Sequence, residues 1–127
     1  MKKLFAIILT LFISHTTYCQ DTIIYSSGYK SIGKTKKSKK IGTWKWFYEN
    51  DTLKKIVNYK KGVLTGKTFE YNKNGNLIIE GQFKKGEKNG KWIRYYKNSI
   101  DTSYITNYLN GKYHGNRKSF SKGNRLA

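Results

Sequence analysis

An all-β fold is predicted for this 127-residue chain: an elongated, single-layer antiparallel sheet of repeated β-hairpins, preceded by a signal peptide. Three observations predict the sheet. Glycines at 42, 66, 90 and 115 recur at spacings of 24, 24 and 25, and five residues beyond each lies an aromatic: Phe47, Tyr71, Tyr95 and Phe120. A second aromatic set, Tyr59, Phe83 and Tyr108, closes the three complete units. Between these positions apolar and polar residues alternate with a period of two, the pattern of half-buried strands. A period of this size marks a stacked array in which no unit buries its apolar face alone.

The N-terminus comes first. Lys2 and Lys3 precede an apolar run from Leu4 to Ile13, and Ser14 to Thr17 follow. This is the plan of a secretory signal peptide over residues 1–19, too short for a bilayer span of about 20 residues. Cleavage after Cys19 would make Gln20 the first residue and leave no cysteine for disulfide or zinc chemistry. Lipidation at Cys19 is the less favoured reading, because Tyr18 and Thr16 stand where a lipoprotein signal places small and aliphatic residues.

Residues 20–41 read as an irregular segment with a partial first repeat, which Tyr29 could open. Lys34 to Lys40 holds five lysines in seven residues and occupies the place of the first hairpin loop, which is expected to be longer than its counterparts. Residues 42–127 are the repeats: 42–65, 66–89, 90–114 and a truncated unit, 115–127. Gly62, Gly75, Gly86 and Gly111 fall in turns that need positive φ. Gly42, Gly66, Gly90 and Gly115 are expected to open strands. In the second strands, Leu53, Val57 and Tyr59 are expected on one face, as are Leu77, Ile79 and Phe83. Phe47, Tyr71, Tyr95 and Phe120 should stack as the principal aromatic ladder. Arg117, Lys118 and Ser119 suit a charged, exposed edge.

The unit Gly90-Lys91-Trp92-Ile93-Arg94-Tyr95-Tyr96, followed by an apolar strand ending in Tyr108 and then Asn110-Gly111-Lys112-Tyr113-His114-Gly115, resembles the MORN repeat variant. It is similar also to the YwqK-type antitoxin family of toxin–antitoxin systems. The resemblance covers residues 42–127 and implies an extended antiparallel sheet that binds proteins or lipid head groups without a shared active site. The chain departs from the pattern at Thr68 and Arg117, where a large residue such as Trp is usual. An export signal also sits badly with a cytoplasmic antitoxin.

Composition narrows the partners. The formal net charge is +19, from 26 basic and 7 acidic residues. Such a field attracts an anionic membrane, polymer or protein, and equally serves solubility. Export argues against nucleic acid. The candidate anion-binding residues are Lys34, Lys36, Lys37, Lys39, Lys40, Lys60, Lys61, Lys84, Lys85 and Lys88, with Lys60/Lys61 and Lys84/Lys85 at equivalent sites along one edge.

Catalytic, cofactor and metal sites are not expected. His114 is expected alone in an inter-strand turn, Glu49 and Asp51 form a turn pair, and Glu70 and Glu80 could be cross-strand neighbours among lysines. No nucleophile elbow, phosphate loop or zinc-spaced cluster is present in the sequence. The expectation is a non-enzymatic exported binding module, with an antitoxin-like protein-capping role as the alternative. The sequence carries no signal for oligomeric state.

Overall fold

The computed structural model describes residues 21–24, 28–123 and 125–126. The expected signal peptide lies outside them. The described residues form one antiparallel twelve-stranded sheet: β1 (Asp21–Ile24), β2 (Lys30–Lys36), β3 (Lys39–Phe47), β4 (Leu53–Lys60), β5 (Val63–Tyr71), β6 (Leu77–Lys84), β7 (Glu87–Lys88), β8 (Gly90–Tyr95), β9 (Thr102–Leu109), β10 (Lys112–Tyr113), β11 (Lys118–Ser121) and β12 (Arg125–Leu126). Each strand pairs with its sequence neighbour, except that β7 and β8 both pair with β6, and β10 and β11 both pair with β9. All-β architecture and a single sheet of hairpins agree with the sequence.

The described part of 20–41 is more regular than expected. Within it β2 is a seven-residue strand, and Lys37-Ser38 is a two-residue turn no longer than its counterparts. Both turn residues adopt positive φ, 50° and 59°, so the extra lysines lie on the strands beside the turn.

Gly42, Gly66, Gly90 and Gly115 do not all open strands. Gly42 and Gly66 lie inside β3 and β5, and all four take positive φ. There the hairpin register slips: Lys34 pairs with Ile41 and Ile32 with Lys45, so Gly42, Thr43 and Trp44 lie opposite the single residue Gly33. Likewise Gly66, Lys67 and Thr68 lie opposite Val57. Asn89 N–H donates to the Gln82 carbonyl at 3.0 Å, which leaves Gly90 to Trp92 opposite Gly81. This is a bulge with two extra residues, opened by a left-handed glycine.

The bulge throws its third residue across the partner strand. A β-carbon on Gly33 would stand 2.2 Å from the Trp44 ring, and one on Gly81 2.3 Å from the Trp92 ring. Trp44 is fully buried and Trp92 nearly so. In the intervening unit Val57 replaces the glycine and Thr68 the tryptophan, and both are buried. Trp44 Nε1–H donates to the Lys34 carbonyl at 3.1 Å, Thr68 Oγ1 to Ile56 at 2.9 Å and Trp92 Nε1–H to Gln82 at 3.2 Å. The departure at Thr68 thus has a cause: Val57 already fills the volume that a ring would need.

Trp44 and Trp92 are the centre of packing. Tyr59 meets Trp44 edge-on at 6.4 Å, and Phe83 and Tyr108 flank Trp92 at 5.3 and 5.9 Å. Each buried indole of about 200 Å² contributes on the order of 5 kcal/mol. Phe47, Tyr71, Tyr95 and Phe120 are only half-buried. Equivalent residues are two strands, about 10 Å, apart. Phe47 and Tyr71 pair with Leu53 and Leu77 of the intervening strands rather than forming the principal ladder. A second register slip beside Lys54 puts Leu53 opposite Phe47 and leaves Val57 opposite Trp44. A matching slip at Ile78 puts Leu77 opposite Tyr71, so Leu53 and Leu77 leave the face on which Val57, Ile79 and Phe83 lie.

Candidate functional site

Four turns line one margin of the sheet. Lys37-Ser38, Lys61-Gly62, Lys85-Gly86 and Asn110-Gly111 each have positive φ at both central residues, the geometry that suits a twisted two-stranded ribbon. Each later turn is tied to the preceding unit. Gly62 N–H donates to the Lys40 carbonyl at 2.8 Å, Gly86 to Leu64 at 2.9 Å and Gly111 to Lys88 at 2.9 Å. The turns consequently form a row with a step of two strands, about 10 Å.

Lysine dominates that row. Lys36, Lys37 and Lys39 serve the first turn, Lys60 and Lys61 the second, Lys84 and Lys85 the third and Lys112 the fourth, and all are exposed. Glu87 is the one carboxylate in these four turns. Lys37, Lys61 and Lys85 occupy the left-handed region, which costs an ordinary L-residue about 1 kcal/mol or more. Asn110 fills the equivalent place in the fourth turn with a residue better suited to it. Three turns therefore keep an ammonium where the backbone disfavours lysine.

Between the first and second turns, Lys36, Lys37, Lys39 and Lys61 join Ile41 around an open cleft of 330 Å³. No carboxylate lines it. The opposite margin differs. Its turns, at 48–52, 72–76, 96–101 and 122–123, carry Glu49, Asp51 and Asp101 against Lys73, Lys97 and Lys122. Asp51 pairs with Lys30 at 2.6 Å, and Glu49 with Lys73 at 4.0 Å. Amides hold these turns: Asn72 Oδ1 accepts from the Asn74 and Asn76 N–H groups at 3.0 Å each. Counted with its strand ends, as on the first margin, the second adds Lys30 and Arg125, so one margin is strongly basic and the other is nearly balanced.

Lys40 and Lys88 stand apart from the row. The Lys40 ammonium lies 4.2 Å from the Trp44 ring centre and 4.7 Å from that of Trp46; Lys88 lies 4.4 Å from Trp92 and 5.0 Å from Tyr108. These are cation–π contacts at half-buried sites. Lys34 is exposed on β2, and its carbonyl receives the Trp44 indole. Lys112 was missed by sequence reasoning, although its place after Asn110-Gly111 matches that of Lys39 after Lys37-Ser38.

The carboxylates are dispersed, and among the described residues no three His, Cys, Asp or Glu side chains could hold a metal ion. Glu70 pairs with Lys55 at 2.9 Å. Glu80 lies on the other face, where burial and its hydrogen bond push the Tyr95 hydroxyl up to about 12. Glu70 and Glu80 are thus not cross-strand partners: Glu70 faces Ile79, and Glu80 faces Phe69. His114 is exposed and follows the fourth turn rather than forming it; its N–H donates to the Asn107 carbonyl at 2.9 Å. The Arg117 guanidinium lies 3.6 Å from the Tyr104 ring centre.

Residues 40–61 and 64–85 match the MORN repeat variant. The two matched segments start 24 residues apart, the repeat length of the sheet, and end on Lys61 and Lys85, the first central residues of the second and third turns. MORN repeats are in general protein- or membrane-binding modules. No curated protein matches the chain. The unit beyond the matched segments repeats the same bulge and turn, with Gly90, Trp92 and Gly111 in place of Gly42, Trp44 and Gly62.

Proposed function

We propose that the protein is a non-catalytic, exported binding or scaffold module that engages an anionic surface, polymer or protein through its lysine-bearing turns. The observation that carries this reading is the single row of turns with eight lysines and one carboxylate, set against a nearly balanced opposite margin. Solubility alone would be served by charge on either margin, and it gives no reason to hold Lys37, Lys61 and Lys85 in a left-handed conformation. Exposed charges are screened over about 8 Å at physiological ionic strength. Binding to anionic vesicles or acidic polymer should therefore weaken steeply as salt is added. Salt-insensitive binding, or none at low salt, would leave only solubility.

Export rests on the run from Leu4 to Ile13 behind Lys2 and Lys3. N-terminal sequencing of the protein from its native envelope or medium should begin at Gln20. An intact N-terminus, or a lipid on Cys19, would contradict that cleavage.

A second reading is an antitoxin-like partner that caps another protein through its aromatic face or a strand edge. It is favoured by the half-buried residues Phe47, Leu53, Tyr71, Leu77 and Tyr95 on a face that no other element covers among the described residues. Co-purification of one stoichiometric protein, encoded beside this one, is the expected outcome for that role. Its absence from pull-downs would count against it.

A further inference from the structure

We infer that the turn row is a track for a linear polyanion rather than a footing on a planar membrane. This inference rests on the anion-binding reading and narrows its partner.

The row is one turn wide and four turns long, so its three steps span about 30 Å. The lysines project from strand ends, and strand direction rotates by about 20–25° per strand in a twisted sheet. Successive turns are then rotated by about 40–50°, and the first and fourth by about 120–150°. A flat bilayer meets one or two such turns at once. A flexible chain can follow all four.

Every basic residue in the row is lysine, a compact point charge without the planar fork with which arginine reads a single carboxylate or phosphate. Such a row recognises charge density along a polymer rather than the outline of one group. Lys67 and Lys91 lie exposed on the face beside the track and flank the Glu80 hollow, so positive charge continues inward from the turns. The cleft of Lys36, Lys37, Lys39 and Lys61 offers four ammoniums and no carboxylate where the first two turns meet. It is the place where one end of a polyanion would seat.

The test uses the full-length chain, inorganic polyphosphate in graded lengths, orthophosphate, and vesicles with phosphate head groups at matched phosphate concentration. Affinity should climb with polymer length and level off once the polymer spans about 30 Å. Vesicles should bind at least about tenfold more weakly per phosphate than the long polymer, because fewer turns reach a plane. In a chain carrying Lys36→Gln, Lys37→Gln and Lys39→Gln, the levelling should come about one step, roughly 10 Å, earlier. An affinity independent of length, or tighter binding to vesicles, overturns the polymer track while leaving anion binding in place. If neither polymer nor vesicle binds at low salt, the underlying reading fails with it.

Discussion

The Trp92 indole lies across Gly81, so close that a β-carbon on the glycine would stand 2.3 Å from Cδ2 of the ring. Trp44 and Gly33 repeat this contact 48 residues earlier, while Thr68 and Val57 exchange its volumes between them. Two kinds of unit alternate in one sheet. Their polar ends alternate as well: Tyr48 and Tyr96 hydroxyls donate to the carbonyls of Tyr71 and Phe120, at 2.8 and 2.7 Å, whereas Asn72 at the equivalent place donates to Lys97 at 2.7 Å.

The first prediction follows from that exchange. Gly81→Val alone should cost about 3 kcal/mol or more, since the branched side chain and the indole cannot share the site. Adding Trp92→Thr rebuilds the Val57–Thr68 arrangement and should recover about 1–3 kcal/mol of that loss. Urea unfolding of the two single variants and the double variant measures the coupling. Additive losses would show that the glycine and the ring act independently.

The turns give the second. Lys61→Asn and Lys85→Asn put a residue more tolerant of positive φ at sites of 52° and 53°. Each should raise stability by up to about 1 kcal/mol and weaken anion binding several-fold. A gain in stability with unchanged affinity would mean that these ammoniums serve no ligand.

Lys40 and Lys88 should behave in the opposite way. Replacing either with Met keeps most of the stem and removes the charge over the rings of Trp44 or Trp92. Stability should fall by about 0.5–1 kcal/mol, and anion affinity should change little. Denaturant midpoints and a binding titration on the same preparations check both halves.

The repeat was legible because its turns are local. Gly62, Gly86 and Gly111, each after Lys or Asn, announce a two-residue reversal whatever surrounds them. The row of Lys60/Lys61 and Lys84/Lys85 followed from period alone. The bulge was not legible, because Gly42-Thr43-Trp44 reads as the start of an alternating strand and nothing local shows that three residues face one. The faces of Leu53 and Leu77 were not legible either, since separate bulges at Lys54 and Ile78 invert alternation without altering composition. Composition groups Lys40 and Lys88 with the turn lysines; only the fold reveals rings beneath them. Gly33 and Gly81 look like weak points in strands until the indole from the next strand is seen to occupy their space.

Alkaline pH supplies the fourth prediction. The Tyr95 hydroxyl is pushed up to about 12 by burial and by its hydrogen bond to Glu80. An unfolded tyrosine ionises near pH 10, so between about 10 and 12 the unfolded chain loses that proton first. The stability tied to Tyr95 is present below pH 10 and drains away as pH rises through that window. Tyr95→Phe should therefore lose less stability than the wild type between neutral pH and pH 11.5, and ultraviolet titration should lose one late-ionising phenol. Parallel stability curves would contradict the shift.

Two variants of equal net charge separate the margins most directly. One carries Lys37→Gln, Lys61→Gln and Lys85→Gln in the basic row; the other carries Lys73→Gln, Lys97→Gln and Lys122→Gln on the nearly balanced side. At about 1 kcal/mol for each lysine near an anionic surface, the first should bind polyphosphate roughly 100-fold more weakly than wild type, with a shallower dependence on salt. The second should stay within about threefold of wild type. Equal losses from the two variants would show that total charge, and not the row of turns, holds the anion.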